Sequence, residues 1–343
     1  MKLYVDKKNI ESLMKSRESD KARFDACNMM LKKHFDMRLN FTLQDFSSSE
    51  LCMMWGNTLL DGRGINHINF SSDSNPVFPP RPLDVKSFDK DFVAEDSSSV
   101  YLLDEKEVPT ISNKGNYLIA GIGDELDTLS KLMIGDEDNK YTKSLPLRTQ
   151  FVSGNWGALD NFILPCSDII ISDSYILSNQ NLIANNLISL LIKLTGRIKN
   201  SSVNIVIFCL KEIRCRQNMI EPNWSSIRSQ IKERLNDIGI VSNITFVALQ
   251  DEREFGEHDR TAWSNYLLYI PGTTFNFYNQ QGVLTTRGRY FHVHSSAYTE
   301  YYNEASDYIA DMQKIIDDID SGIKSGMIEK DSANELSRIL TIP

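Results

Sequence analysis

The chain has 343 residues, of which 41% are hydrophobic, and it carries a formal net charge of −9 with a sequence pI near 5.2. This length and composition predict about two domains with sizeable cores, and the acidic balance argues against broad nonspecific coating of nucleic acid. No apolar run approaches the ~18 residues that span a bilayer, the first residues lack a signal-peptide core, and the five cysteines are scattered without zinc spacing. We therefore expect a soluble, cytoplasmic protein without a membrane partner, with reduced thiols.

Residues 1–68 are predicted to form an N-terminal α+β region. A short strand ends at Asp6, and apolar residues recur at helical spacing over 10–15 and 22–34. Residues 69–99 are rich in Ser, Pro and Asp, which is typical of a linker-like surface segment.

Residues 100–159 are predicted to add a strand and helix extension. Apolar stretches at 100–103 and 117–122 indicate strands, and a short helix follows over 124–133. The fragment Gly121-Ile122-Gly123 lacks a third glycine and a lysine, so it predicts a tight strand-to-helix turn and no nucleotide loop.

A regular alternation of strands and helices over residues 160–295 predicts an α/β domain with a mostly parallel sheet and helices on both faces. The predicted strands cover 168–171, 203–210 and 244–249, and the predicted helices cover 180–194 and 224–238. Residues 296–343 are predicted to form C-terminal helices over 297–321 and 332–340. The apolar stripe of the first, which includes Ile309 and Met312, is typical of a core or subunit contact.

Residues 258–276 resemble, in their spacing, the motif of a known phosphoryl-transfer site, which has a histidine, a cation two residues later, an acid five residues after that, and a Gly-Ser turn. His258 occupies the nucleophile position, Arg260 the cation position, and Asn265 the acid position. Thr273 follows the turn glycine, and Asn276 comes one residue late. A histidine nucleophile needs an adjacent cation to hold phosphate oxygens, and residues two apart on a strand share one face.

The chemistry around this motif is altered. Arginine grips phosphate through a rigid fork, unlike lysine, and Asn265 cannot supply the charge of an aspartate. Residues 251–260 contain five acids against two arginines, which repels phosphate unless other bases contribute. The candidates for those bases are Lys211 and Arg214, which are expected beyond a strand end, and Arg287 and Arg289; the alternative is that these charges form an ordinary solvated rim. The apolar stretch 261–270 predicts a single buried strand leading to the turn.

Residues 160–295 resemble a half-domain of the phospholipase D-like superfamily, in a degenerate, single-motif His-x-Arg form. The order of strands and helices before the motif is similar, and Ser172-Asp173-Ser174-Tyr175 resembles the Asp-Pro-Tyr that often follows a strand in small members. The resemblance implies that Asp173 lies near the site, that no metal or other cofactor is needed, and that activity requires two facing motifs. Only one copy of the motif is present, so catalysis of this kind would require a homodimer.

Three functional hypotheses follow from the motif and the resemblance. The first, which we favour, is a non-catalytic binding or scaffolding subunit of a bacterial antiviral or mobile-element system, with other protein subunits as partners and nucleic acid as a further candidate ligand. The second is a dimeric, metal-independent phosphodiesterase or nuclease in which His258 attacks phosphorus. The third is an interaction protein whose function lies in residues 1–150.

Overall fold

The computed structural model describes residues 1–60, 68–72, 98–104, 117–152, 154, 156–196, 202–215, 218–258 and 260–331, excluding the side chains of residues 60, 213–215, 218–220, 257 and 258. The predicted α/β class is confirmed. The chain divides into two compact units, Met1–Met133 with Ser295–Asn303, and Ile134–His294 with Glu304–Pro343. No helix in the described part of the chain is long and apolar enough to cross a membrane.

The first unit contains a parallel five-stranded sheet. Its strands are β1 (Lys2–Val5), β2 (Asp36–Leu39), β3 (Ile68–Phe70), β4 (Val100–Leu102) and β5 (Leu118–Ala120). Its helices are α1 (Lys7–Ser19), α2 (Lys21–His34), α3 (Leu43–Ser47), α4 (Glu50–Leu60) and α5 (Glu125–Ser130). The strand order is β3-β2-β1-β4-β5, and every pairing is parallel. The sheet therefore joins strands from both sides of the predicted linker, and β3 crosses the predicted boundary at residue 68.

The second unit is built on an eight-stranded sheet. Its first strands are β6 (Thr142–Pro146), β7 (Asp168–Ser172) and β8 (Ser202–Leu210), and a separate hairpin follows with β9 (Ile213–Cys215) and β10 (Asn218–Ile220). The later strands are β11 (Val241–Leu249), β12 (Thr261–Ser264), β13 (Leu267–Ile270), β14 (Tyr290–Ser295) and β15 (Gly326–Lys330). The helices are α6 (Leu147–Gln150), α7 (Ser189–Leu194), α8 (Trp224–Asn236) and α9 (Thr299–Asp320), of which α9 begins in the first unit.

The order of the large sheet is β15-β11-β8-β7-β12-β13-β14-β6. Strands β7, β8 and β11 are parallel, whereas β12 runs antiparallel to β7 and β15 runs antiparallel to β11. The sheet is thus mixed, and its parallel part is the three apolar strands that the sequence predicts. Long, buried apolar strands of this kind require cover on both faces.

Helices cover both faces of the parallel strands. On one face, the apolar stripe of α9, including Met312 and Ile316, packs into a core cluster with Phe208 and Val247. On the other face, Trp224 of α8 contacts Phe246, with ring centroids 5.4 Å apart. Each fully buried apolar side chain contributes roughly 1.5–3 kcal/mol to the free energy of unfolding.

Two local predictions differ from the structure, and one strand was not predicted. The stretch 261–270, predicted as one strand, is a hairpin of β12 and β13 that reverses at Asn265 and Tyr266. Residues 180–194, predicted as one regular helix, form a 3-10 turn, a π-helical segment over Ala184–Ile188 and the short α7. The strand β15 was not predicted, and the predicted helix over 332–340 lies outside the described residues.

The π-helical segment has a side-chain cause. Asn186 is fully buried, and its Nδ2 donates to the carbonyls of Leu182 and Tyr278 while its Oδ1 accepts from the Tyr278 N–H. A polar side chain that inserts between a helix and a loop in this way disturbs the regular i→i−4 pattern.

Candidate functional site

The start of the motif, around Arg260, lies at the carboxyl edge of the parallel strands β7, β8 and β11. In open α/β sheets ligands bind beyond this edge, because the loops that follow the strands meet there. The loop after β7 carries Asp173 and Tyr175, and the loop after β11 leads through a 3-10 segment, Glu252–His258, to Arg260.

Arg260 is engaged by groups of the protein itself. Its guanidinium Nη2 lies 3.1 Å from Oε1 of Glu252, and its Cζ lies 5.6 Å from the centroid of the Tyr175 ring. The Tyr175 hydroxyl donates to the other oxygen, Oε2, of Glu252 at 2.7 Å. The carboxylate of Glu252 therefore sits against the cation that the motif assigns to phosphate, and the ring of Tyr175 supports the guanidinium from one side.

The backbone of Arg260 is unusual. Its φ is 70°, in the left-handed region that side chains other than glycine rarely adopt. Strained positions of this kind persist where the surroundings fix them. The side chain of His258 and the whole of Asp259 lie outside the described residues, so the nucleophile prediction has no structural counterpart here.

Asn265 lies at the opposite edge of the sheet. The register pairs Thr261 with Ser172 and Ser264 with Ile169, so the five-residue step from Arg260 to Asn265 spans about 16 Å. Asn265 is fully buried; its Oδ1 accepts from the backbone N–H groups of Ser167 and Asp168 at 3.0 and 3.1 Å, and its Nδ2 donates to the Ser167 hydroxyl at 2.9 Å. Its amide ties the β12–β13 turn to the start of β7, and it does not approach Arg260.

A polar row continues from Asn265 across this amino edge. Asn204 donates to the carboxylate of Asp168 at 3.1 Å, Asn243 donates to Asn204 at 3.2 Å, and the Ser167 hydroxyl bonds Asp168. Burial, with a smaller contribution from the carboxylate of Asp168, raises the pKa of the neighbouring Cys166 thiol. The row satisfies buried polar groups at the amino ends of β7, β8 and β11, and sequence spacing alone did not reveal it.

Asp173 fastens two loops at the carboxyl edge. It is fully buried, and its Oδ2 accepts from the Thr274 hydroxyl and the Phe275 N–H, each at 2.7 Å, while its Oδ1 accepts from the Tyr175 N–H at 2.9 Å. Asn276 adds bonds from its Nδ2 to the Tyr175 carbonyl and the Ser178 hydroxyl. These hydrogen bonds hold the loop that carries Tyr175, whose ring contacts Arg260. Asp173 and Asn276 therefore lie near Arg260 and have a structural role.

The other predicted binding residues are dispersed. The hydroxyl of Thr273 pairs with that of Thr286 at 3.0 Å, and Lys211 follows β8 with its backbone N–H bonded to the Leu249 carbonyl at 2.7 Å. Arg287 and Arg289 are exposed and precede β14. The side chain of Arg214 lies outside the described residues.

A second carboxyl edge lies in the first unit, where the strand order reverses between β1 and β4. Asp6, which follows β1, is 5% exposed; its Oδ1 accepts from Asn40 and its Oδ2 from the Asp104 N–H, both at 2.9 Å. Asp104 in turn pairs with Lys8 at 3.2 Å. Asp6 and Asp104 thus follow the two strands between which the strand order reverses. Their proximity becomes apparent only from the strand order, because they are far apart in sequence.

The turn after β5 is closed by a buried carboxylate. Glu125 is 2% exposed; its Oε1 accepts from Asn9 at 2.9 Å, and its Oε2 accepts from the Gly123 N–H at 2.8 Å and the Ser12 hydroxyl at 3.1 Å. Burial raises the pKa of Glu125, and these hydrogen bonds oppose the rise. The glycine fragment 121–123 therefore forms the expected strand-to-helix turn. The Gly123 N–H of this turn donates to the carboxylate of Glu125.

Within the described residues, no group of three or more His, Cys, Asp or Glu side chains is placed to hold a metal ion. No protein-family model matches the chain, and no characterised protein matches it either.

Proposed function

We propose that residues 160–295 form a non-catalytic, phospholipase D-like binding or scaffolding module, and that the chain is an accessory subunit of a bacterial defence-type system. The observation that carries the proposal is the engagement of Arg260 by Glu252 and Tyr175. A phosphoryl-transfer site needs a cation aimed at the phosphate oxygens, and here the cation is held by an internal carboxylate.

The position of Asn265 supports the same proposal. The residue at the acid position of the motif makes three hydrogen bonds at the amino edge of the sheet. From the amino edge, the Asn265 side chain can neither orient a histidine at the carboxyl edge nor contact a phosphate bound at the carboxyl edge.

Cleavage of labelled single- and double-stranded DNA and RNA without added metal tests this proposal. We expect no cleavage by the wild type or by His258→Ala. Cleavage that disappears in His258→Ala would replace our proposal with the dimeric phosphodiesterase, and the same samples should then be dimers by light scattering.

A further inference from the structure

Strands β14 and β6, which end the large sheet, expose one polar and aromatic face. Along β14, Phe291 and Val293 are buried, whereas Tyr290 is 47% exposed and His292 and His294 are half-buried. Alternate residues of a strand point to opposite sides, so Tyr290, His292 and His294 share the face away from the buried pair. We call this set the β14 ring ladder.

The rings of the ladder follow one another closely. The centroids of Tyr290 and His292 are 6.1 Å apart with an interplanar angle of 37°, and those of His292 and His294 are 6.2 Å apart at 26°. Hydroxyls of β6 hold the imidazoles: Ser144 contacts His292 Nδ1 at 2.9 Å, and Thr142 contacts His294 Nδ1 at 3.1 Å. The two imidazoles are therefore ordered before any ligand arrives, which reduces the entropy lost on binding.

Burial, with a smaller contribution from His292, lowers the pKa of His294 to about 4. His294 is consequently neutral at pH 7, and the positive charge of this region must come from elsewhere.

Arginines supply that charge at the Tyr290 end of the ladder. Arg148, Arg287 and Arg289 are all exposed, and none of them forms an ion pair with a residue in the part of the chain that the structure describes. The Leu147 N–H donates to the Arg289 carbonyl at 3.0 Å, which joins α6 to the start of β14 and places Arg148 and Arg289 near one another.

The acidic residue beside this strand pair does not cancel the charge. Asp136 is paired with Lys143 at 2.7 Å, and Lys143 lies opposite the buried Val293. The Lys143 side chain therefore lies on the face of the sheet opposite the β14 ring ladder.

We infer that the β14 ring ladder and its arginines bind single-stranded nucleic acid, with bases stacked on the rings and phosphates held by Arg148, Arg287 and Arg289. Proteins that bind single strands combine a row of stacking rings with a basic track for the backbone. A duplex hides the faces of its bases, and an acidic peptide would use the arginines without the rings. The inference rests on the proposed function only in that the second unit binds a ligand, and it does not involve His258.

Fluorescence anisotropy with a labelled 20-nucleotide single-stranded RNA, the same sequence as DNA, and the matching duplexes tests the inference. We expect Tyr290→Ala to weaken single-strand binding about tenfold, and Tyr290→Phe, which keeps the ring, to bind like the wild type. Arg287→Gln and Arg289→Gln should each lower the slope of log K against log salt by about 0.7. Arg234→Gln, which changes an exposed arginine on α8, is the matched control and should leave both quantities unchanged.

Several outcomes would overturn the inference. Equal binding by the wild type and Tyr290→Ala would show that the rings do not stack bases, and tighter binding of duplex would contradict single-strand recognition. No binding by the folded wild type, as checked by circular dichroism, would also overturn it. That result leaves the proposed function standing, because the proposed function fails only if cleavage is seen. A preference between the RNA and DNA arms identifies the sugar that is recognised.

Discussion

Single side chains decide how the motif is used. Arg260 and Glu252 lie eight residues apart in the same loop, and their pairing with Tyr175 fills the place of an anionic ligand. Both charged side chains remain more than a third exposed, at 36% and 44%. Such pairs contribute little to stability, so the main effect of Glu252 is on what Arg260 can bind.

Replacing Glu252 with glutamine should release Arg260 for anions, because the substitution removes the charge and keeps the side-chain size. For a Kd of about 10 mM between phosphate and the variant, phosphate at about 50 mM would raise the free energy of unfolding of the variant by about 1 kcal/mol and its Tm by about 3 °C. Thermal unfolding with phosphate, against chloride at equal ionic strength, measures this gain. The wild type and the double variant with Arg260→Gln should show a smaller shift; equal shifts in all three proteins would mean that phosphate binds elsewhere.

Glu125 should make stability depend on pH. Its raised pKa means that folding favours the protonated form, so its contribution is fully present below the ordinary glutamate pKa and is lost as the pH rises through the raised value. We expect Glu125→Ala to lower the free energy of unfolding by about 1–3 kcal/mol at pH 5, and by less at pH 7.5.

Urea unfolding of Glu125→Ala and the wild type at the two pH values provides the measurement. Asp124→Ala is the control, because Asp124 is exposed and makes no capping hydrogen bond. A larger loss at pH 7.5 than at pH 5 would contradict the assigned direction of the pKa shift.

At the scale of the element, the apolar runs of β8 and β11 were predictable because their composition alone demands burial. The break between β12 and β13 was not, because the flanking residues Ser264 and Leu267 suit a strand equally well. The turn is selected by Asn265 through bonds to Ser167 and Asp168, which are about a hundred residues away in sequence. These contacts hold Asn265 at the amino edge of the sheet, whereas Arg260 lies at the carboxyl edge. The spacing of the motif residues in sequence was therefore predictable, but their positions in space were not.

The Asn265 turn should be sensitive to substitution. Asn265→Ala leaves two buried N–H groups without their acceptor, and we expect a loss of about 3 kcal/mol in the free energy of unfolding. Asn181→Ala, at an exposed asparagine of the same unit, should change stability by less than about 0.5 kcal/mol. Denaturant unfolding of both variants measures the two losses in the free energy of unfolding. Equal losses would show that the buried amide of Asn265 has no special role.

At the scale of the whole molecule, the large sheet ends in β15 on one side and β6 on the other. Strand β15 pairs with Thr245–Leu249 of β11 and so covers an apolar edge next to the core. An uncovered edge strand of this kind pairs readily with other chains.

Removing residues 322–343 should therefore cause self-association, whereas removing only 332–343 keeps β15 and should not. Size-exclusion chromatography with light scattering distinguishes the two truncated proteins. A monomeric, soluble 1–321 chain would show that β15 is dispensable for covering β11.

The chain path of the first unit has a consequence for synthesis. Ser295–Asn303 belongs to that unit. His34 contacts the Thr299 hydroxyl through its Nδ1 at 3.0 Å, and its ring centroid lies 4.9 Å from that of Tyr298, with the two rings tilted. A ribosome makes these partners more than 260 positions apart in sequence. The first unit thus begins to fold first, but it acquires its last segment only after most of the second has been translated.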